Sequence, residues 1–377
     1  MKIAVLGAGL IGTAIAIDLS QEEKFQVISV DINEQNLHKL QKYSQIKKLK
    51  EDISDFDTLK NIVDDCDYVI NALPSNMGYK ILKNLILCKK NVVDITFFEE
   101  DPFTLSELAE QNNVTAVVDC GIAPGMSNIL SGFIEKELDE TKELYIYVGG
   151  IPSKKNPPWD YKAVFAPKDV INEYMRPARF VINGELVIKE ALSEPEPISF
   201  EGHGTFEAFN TDGLRTLINT LSIKDMREKT IRYPGHIDRI KVLKECGLFD
   251  ENQIEINGIK ATPLEMTSEI LFPQWKMNED DRDKTLFRIV AKGTKDKKEV
   301  KYMYNLVDEY DEESNIHSMA RTTGYTATAV ARLLSEGLFN KKGIVAPEFI
   351  GREKECVEFI LAAMKKKGID FQLTIDE

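Results

Sequence analysis

The sequence predicts an α/β protein: a doubly wound parallel Rossmann sheet, completed by C-terminal helices, with an inserted α+β substrate and dimerisation domain built on a mixed or antiparallel sheet. Three observations carry this. Strand and helix signals alternate through residues 1–120. A glycine fingerprint, Gly7-Ala8-Gly9-Leu10-Ile11-Gly12, separates the first strand from the first helix. After Asp119 the alternation gives way to longer strands and Asn-Gly turns.

Residues 2–6 (KIAVL) are a short apolar β-prone run, and an Ala/Ile-rich helix follows the glycine turn as far as Leu19. Gly7 permits the tight turn, Gly9 lets backbone approach a pyrophosphate, and Gly12 lets the helix pack closely on the strand. The helix start at Leu10 and Ile11 then presents N–H groups to the anion. The next strand, residues 25–30, ends at Asp31, 19 residues beyond Gly12. An acid at that spacing hydrogen-bonds the ribose hydroxyls of NAD and repels a 2′-phosphate, so NAD is the expected cofactor. Residues 46–49, 67–72, 91–95 and 114–119 continue as strands, with helices over 56–63, 75–88 and 105–111. Ligands of such sheets sit outside the carboxyl ends of the strands. Those ends are the glycine turn, Asp31, Asn71-Ala72-Leu73-Pro74, Asp94 and Cys120-Gly121.

In the middle of the chain residues 144–148 alternate, and 180–187 read as a hairpin around Asn183-Gly184. A second Asn-Gly turn falls at Asn257-Gly258, and long strands over 286–292 and 300–307 flank a turn expected near Gly293. Residues 152–158 (PSKKNPP) are a loop by composition. Residues 326–334 form a helix stopped by Gly337, and Val357, Ile360, Leu361 and Met364 mark another, closed by lysines and Gly368. The expected division is 1–120 for the Rossmann domain, 121–317 for the inserted domain, and 318–377 for helices that return to the first.

The length of 377 residues suits about two domains. A net charge of -14 argues against a nucleic-acid-binding face and a polybasic membrane anchor. Five cysteines without C-x-x-C spacing argue for a reducing, cytoplasmic setting rather than disulfides or a zinc knuckle. Four histidines with no H-x-x-x-H spacing give a metal site little support. The apolar stretch 3–17 holds three glycines and is too short to span a bilayer.

Several segments together resemble the saccharopine dehydrogenase-like family: NALP at 71–74, VVDIT at 92–96, VVDCGIAPGMSNIL at 117–130, GTFEAFNTDGLRTL at 204–217 and TIRYPGH at 230–236. The branch most similar is lysine 6-dehydrogenase. The resemblance implies a nicotinamide cofactor, a small amino-acid substrate and a homodimer. One position departs: saccharopine reductases carry Asp where this chain has Ala123.

Oxidising an amine needs the neutral form, because an ammonium has no lone pair to assist, and the lysine ε-amine has a reference pKa of about 10.4. Asp94, at a strand end, could position the amine or accept its proton; Asp119 lies at the same edge, where an Asp also serves as a cap. Cys120 is read as a wall residue rather than a nucleophile. A substrate α-carboxylate calls for a forked donor. With 11 Arg against 37 Lys, Arg232 is the first choice, followed by Arg176 and Arg179 around Pro177. Asn210, Thr211 and Asp212 could receive the α-ammonium or simply start a helix, and His203 and His236 could transfer protons or order loops. Three readings follow: an NAD-dependent lysine ε-deaminase, a saccharopine-type reductase, and a non-catalytic NAD-binding regulator.

Overall fold

The computed structural model describes residues 1–163, 167–278 and 280–377. Six strands come from the N-terminal third: β1 (Lys2–Leu6), β2 (Gln26–Asp31), β3 (Lys47–Lys50), β4 (Tyr68–Asn71), β5 (Asn91–Asp94) and β6 (Thr115–Val117). The middle of the chain adds β7 (Glu140–Pro152), β8 (Ala178–Ile182), β9 (Glu185–Lys189), β10 (Glu196–Phe200), β11 (Gly204–Asn210), β12 (Asp225–Arg232), β13 (Ile254–Ile256), β14 (Ile259–Ala261), β15 (Asp283–Lys295) and β16 (Lys298–Glu309). The C-terminal part contributes β17 (Gly343–Val345) and β18 (Gln372–Asp376).

The first sheet is seven-stranded and parallel, ordered β17-β6-β5-β4-β1-β2-β3. Helices cover both of its faces, which is why Ile3, Ala4, Val5 and Leu6 are all fully buried and the strand reads as continuously apolar. Strand order reverses between β1 and β4, the place where such sheets open a ligand crevice. The second sheet is mixed and runs β10-β11-β12-β7-β15-β16-β18, with the β8–β9 hairpin paired to β12; β13 and β14 form a separate small hairpin.

Three details differ from the sequence expectation. Gly293 does not turn the chain: β15 continues through it to Lys295, and its register shifts against β7 between Lys292 and Gly293. A Cβ there would fall 2.0 Å from the Glu140 carbonyl oxygen, so the glycine permits a bulge. Asp296 and Lys297, both at positive φ, make the turn instead. The small-residue helix is also longer, Ser318–Ser335. Finally, the C-terminal segment serves both sheets, because β17 joins β6 while β18 pairs with β16. Among the described residues no helix is long and apolar enough to cross a membrane.

Helix Leu10–Ser20 packs against Ser318–Ser335, joining the two ends of the chain. Gly324 keeps the surfaces close, since a Cβ there would fall 3.0 Å from Ile15 Cγ1, and a buried ion cluster fixes the register. Asp18, fully buried, meets Arg332 at 2.7 Å and Lys367 at 2.6 Å. Burial would raise the Asp18 carboxyl, but the guanidinium and ammonium outweigh it and hold the group below its ordinary range. Helices Met126–Glu137 and Pro347–Gly351 cross so closely that a Cβ on Gly132 would fall 2.2 Å from the Glu348 carbonyl oxygen.

Gly132→Ala is therefore expected to lower the free energy of unfolding by about 1–3 kcal/mol, measured by urea titration. Asp18→Asn should cost about 3 kcal/mol at neutral pH, because it strands two cations. The folded carboxyl holds its proton less tightly than the unfolded one. Its contribution is thus complete above about pH 4 and is lost as pH falls through the lower folded value. Unfolding curves of wild type and variant should converge in acid; a gap that persists there would rule out this charge pairing as the source.

Candidate active site

A cleft of ≈ 850 Å³ runs from the glycine turn of the first sheet to the second domain. At its first end lie Gly7, Gly9, Leu10, Ile11, Gly12 and Asp31. Gly7 is at φ +93, and a side chain there would strike the Ala72 carbonyl oxygen at 2.5 Å. A Cβ on Gly12 would overlap the Gly7 carbonyl oxygen at 2.0 Å, whereas Gly9 has open space beyond it. The two crowded glycines build the turn, and the open one leaves room for a ligand. Helix Leu10–Ser20 has no side-chain cap at Gly9, so its first-turn N–H groups are left for an anion. Asp31 accepts from the Ala8 N–H (2.7 Å), the Asn33 N–H (2.7 Å) and Asn36 Nδ2 (3.2 Å), which ties the end of β2 to the glycine turn. The residues present fit a dinucleotide.

The cleft then passes Ala72, Leu73, Pro74, Thr96, Phe97 and Gly121. Asn71, Asp94 and Cys120 lie beneath this floor rather than on it. Asn71 Nδ2 donates to Asp94 Oδ2 at 2.8 Å, while the Thr96 N–H (2.7 Å) and Thr96 Oγ1 (2.5 Å) donate to Asp94 Oδ1. Burial, opposed by those bonds, pushes the Asp94 carboxyl up to about 7. Even so, Oδ1 is spent on the Thr96 turn and Oδ2 on Asn71, so Asp94 supports the floor from beneath and does not line the cleft. Burial also raises the Cys120 thiol far above its ordinary value, which keeps it un-ionised.

Asp119 is likewise occupied. It sits at φ +51 and grips Arg215 through both oxygens, Nη2 to Oδ1 at 3.0 Å and Nε to Oδ2 at 3.1 Å, with both side chains buried. Arg215 also donates to the Phe98 carbonyl oxygen at 2.8 Å and stacks over Phe97 at 4.3 Å. It belongs to the N-T-D-G-L-R run, but its role depends on a partner 96 residues away.

The far end of the cleft is a polar chamber lined by Tyr161, Glu173, Arg176, Thr211, Asp212, Gly213, Glu228, Thr230 and Arg232, among others. Arg232, the last residue of β12, is buried. Its Nε donates to the Tyr174 hydroxyl (3.2 Å), Nη1 to the Ile231 carbonyl oxygen (2.9 Å), and Nη2 lies 3.6 Å from Glu173. Tyr161 stacks on the guanidinium at 4.7 Å. Glu228 is almost wholly buried, and burial beside Glu173 and Asp212 raises its carboxyl to about 8.

Other predicted residues divide. Thr211, Asp212 and Arg176 line the cleft, Arg176 with Nη2 on Glu99 at 3.0 Å. Arg179 is a correction: Nε and Nη2 both bind Asp212 at 2.9 Å, so its fork is taken. Asn210 faces away, donating to Ser193 Oγ and Glu194. His203 lies beyond the cleft near Glu309 at 3.8 Å. His236 is enclosed between the Trp159 carbonyl oxygen (2.8 Å) and the Tyr174 hydroxyl (3.0 Å). Burial and the nearby Arg232 pull its imidazole down to about 3, so it is neutral at physiological pH. Glu173, Glu228, Thr230, Tyr161 and Arg215 were not anticipated. For Thr230 the only signal was its place at the head of TIRYPGH.

Comparisons agree with this architecture. Residues 3–117 match the saccharopine dehydrogenase NADP binding domain and residues 121–369 the saccharopine dehydrogenase C-terminal domain. The first model indicates a nicotinamide cofactor. The mitochondrial alpha-aminoadipic semialdehyde synthase of Mus musculus is 22% identical over 98% of this chain and 47% of its own length. The chain thus spans about half of that relative. The carboxyaminopropylagmatine dehydrogenase of Synechocystis is 22% identical over 91% of each chain. Apo saccharopine dehydrogenase (L-Glu forming) of Saccharomyces cerevisiae superposes with a TM-score of 0.82 at 18% identity over 100% of both chains, which establishes the fold. With both domain models matched in order along one fold, the chain belongs to the saccharopine dehydrogenase family.

Proposed function

We propose that this chain is an NAD-dependent oxidoreductase that deaminates the ε-amino group of L-lysine. The observation that carries the reading is the pairing within one chamber of Arg232, suited to an α-carboxylate, with Glu173 and Glu228, suited to an amine. In net terms the lysine ammonium, NAD and water give the ε-aldehyde, which closes on its own α-amine, together with NADH, ammonium and one proton. Gly7, Gly9, Gly12, Leu10 and Ile11 would hold the pyrophosphate, Asp31 the ribose, and Ala72, Leu73, Pro74 and Gly121 the path toward the chamber. A bound nicotinamide supplies the acceptor for two electrons and one hydrogen from the carbon bearing the amine.

NAD rather than NADP is supported by the charge around Asp31. That end of the cleft is lined by Ile32, Asn33, Asn36, Glu51 and Asp52, and the lining cations, Lys162, Arg176 and Arg232, come from the second domain. A 2′-phosphate would meet carboxylates there, and no cation is among the described residues that line that end. The chain's own residues then set protonation and orientation. Arg232, held flat by Tyr161 and Tyr174, fixes the substrate's charged end, and the carboxyl groups opposite it take the amine. A saccharopine-type reaction on a secondary amine is the second reading. It is favoured by Arg176, a further guanidinium on the wall for a substrate with two carboxylates. A homodimer and a reducing, cytoplasmic setting complete the proposal; the free thiols of Cys66, Cys88, Cys120, Cys246 and Cys356 suit the latter. Sedimentation of the purified chain tests the dimer.

L-Lysine and NAD should yield NADH and ammonia, followed at the nicotinamide absorbance; oxidation of NADH only with an aldehyde and an amino acid together would favour the second reading. Asp31→Ser should weaken NAD binding about 10–100-fold, the worth of hydrogen bonds to a charged group, and should narrow the gap between NAD and NADP. Unchanged NAD affinity in a calorimetric titration would displace Asp31 from the ribose. Arg232→Lys should raise KM for lysine about 10–100-fold and leave the oxidation of cadaverine, which has no carboxylate, nearly unchanged. Equal losses on both substrates would show that Arg232 does not read the carboxylate.

A further inference from the structure

Four residues of the chamber form one unbroken chain of contacts. Thr211 Oγ1 lies 2.9 Å from Glu228 Oε2 and 2.9 Å from Thr230 Oγ1, and Thr230 Oγ1 lies 2.5 Å from Glu173 Oε1. A hydroxyl has a single proton to donate. Two threonines therefore bring two protons to three contacts. With both carboxyl groups ionised, Thr211 would donate to Glu228 and Thr230 to Glu173. The two hydroxyl oxygens would then face each other at 2.9 Å with no hydrogen between them. One further proton, placed on either carboxyl group, lets every contact run in a single direction.

We propose that Glu228, Thr211, Thr230 and Glu173 form a proton relay that holds one exchangeable proton at neutral pH and carries the amine's proton out of the chamber. The outward path rests on the amine-oxidation reading above; the shared proton does not. Glu228 lies on β12 and Glu173 on helix Pro167–Met175, while Thr211 follows β11. The charged groups facing Glu228 are Glu173, Asp212 and Arg232. The nearby cations are engaged by other acids: Arg179 binds Asp212, and Arg232, though it faces Glu228, also approaches Glu173 at 3.6 Å. The backbone of Gly213 closes over Glu228, since a Cβ there would fall 2.2 Å from Oε2. That geometry places the resting proton on Glu228 and the counter-charge at the Glu173 end. Glu173 keeps 26% of its side chain exposed, so it is the outlet to water.

The cycle balances without electrons moving in the relay. The Glu228 proton passes to Thr211, the Thr211 proton to Thr230, and the Thr230 proton to Glu173. Glu228, now a carboxylate, takes one proton from the substrate ammonium and leaves the neutral amine whose lone pair the oxidation requires. Glu173 gives its proton to water, and one proton has left the chamber.

Infrared spectroscopy of the whole chain labelled with 13C-glutamate, without substrate, tests the shared proton. At pH 7 the difference between wild type and Glu228→Gln should contain a protonated-carboxyl band, separating Glu228 from the buried Glu348, and Thr211→Val should shift that band. An empty difference spectrum overturns the relay. In turnover with L-lysine and NAD, Thr230→Val should lower kcat about 100-fold with little change in KM, and Thr230→Ser, which keeps the hydroxyl, should restore it. Equal loss in both variants overturns the path through Thr230. A wild-type chain that shows the band and oxidises no amine overturns the lysine reading and the outward path with it, and leaves the shared proton standing.

Discussion

The buried pair of Asp119 and Arg215 is the joint on which the cleft depends. Asp119 ends the first sheet's run of strands, and Arg215 belongs to the segment that follows β11 in the second domain. Both residues sit at φ +51, a region costly for residues with a Cβ, so each must be held by what surrounds it. A bidentate charge pair with both side chains 5% exposed or less does this, because a buried guanidinium and carboxylate each cost several kcal/mol when left alone. Through the Phe98 carbonyl oxygen and the Phe97 ring, the same guanidinium orders the loop after β5, which forms the cleft floor. The two domains are thereby aligned at the point where a cofactor and a substrate would meet.

This division of labour explains why the aspartates at the sheet edge do not face the chamber. A carboxylate at the carboxyl end of a parallel strand is surrounded by loop N–H and hydroxyl groups that need acceptors. Asp94 serves Thr96 and Asn71, and its backbone carbonyl oxygen accepts from the Cys120 N–H at 2.8 Å. Asp119 serves Arg215. With Asp94 and Asp119 committed to holding loops, the acids that meet the far chamber, Glu173, Asp212 and Glu228, come from the second domain.

How far this could be read from the chain depends on the range of each interaction. The glycine turn was legible because its spacing and the positive φ of Gly7 are set within a dozen residues, although Ala72 also crowds Gly7, and Asp31 because its distance from the turn is fixed by one helix. The Asn183-Gly184 and Asn257-Gly258 hairpins were legible for the same reason. Gly293 was misread because a bulge glycine and a turn glycine look alike until the neighbouring strand is known. β18 escaped notice because its partner is about 70 residues upstream in β16 and its own residues are exposed. Glu228 and Thr230 were hidden in D-M-R-E-K-T-I-R, a run whose charges give no sign that it is buried. The structure covers that strand with residues 173 and 211–213, and four of its last five residues become buried polar or charged groups. Arg232 was found by scarcity, whereas Glu173 had no such signal.

The proposed relay and the proposed carboxylate site share a residue, and on that reading recognition is linked to chemistry. Glu173 touches Thr230 through Oε1 and approaches Arg232 through Oε2. A substrate carboxylate that arrives at Arg232 shares the guanidinium now facing Glu173. Loss of part of that counter-charge draws the proton along the two hydroxyls toward Glu173 and leaves Glu228 ionised beside the incoming amine. An amine without a carboxylate leaves Arg232 with Glu173 and the proton with Glu228. On that reading the chamber favours a molecule that carries both groups, because one end of the substrate prepares the base that the other end needs.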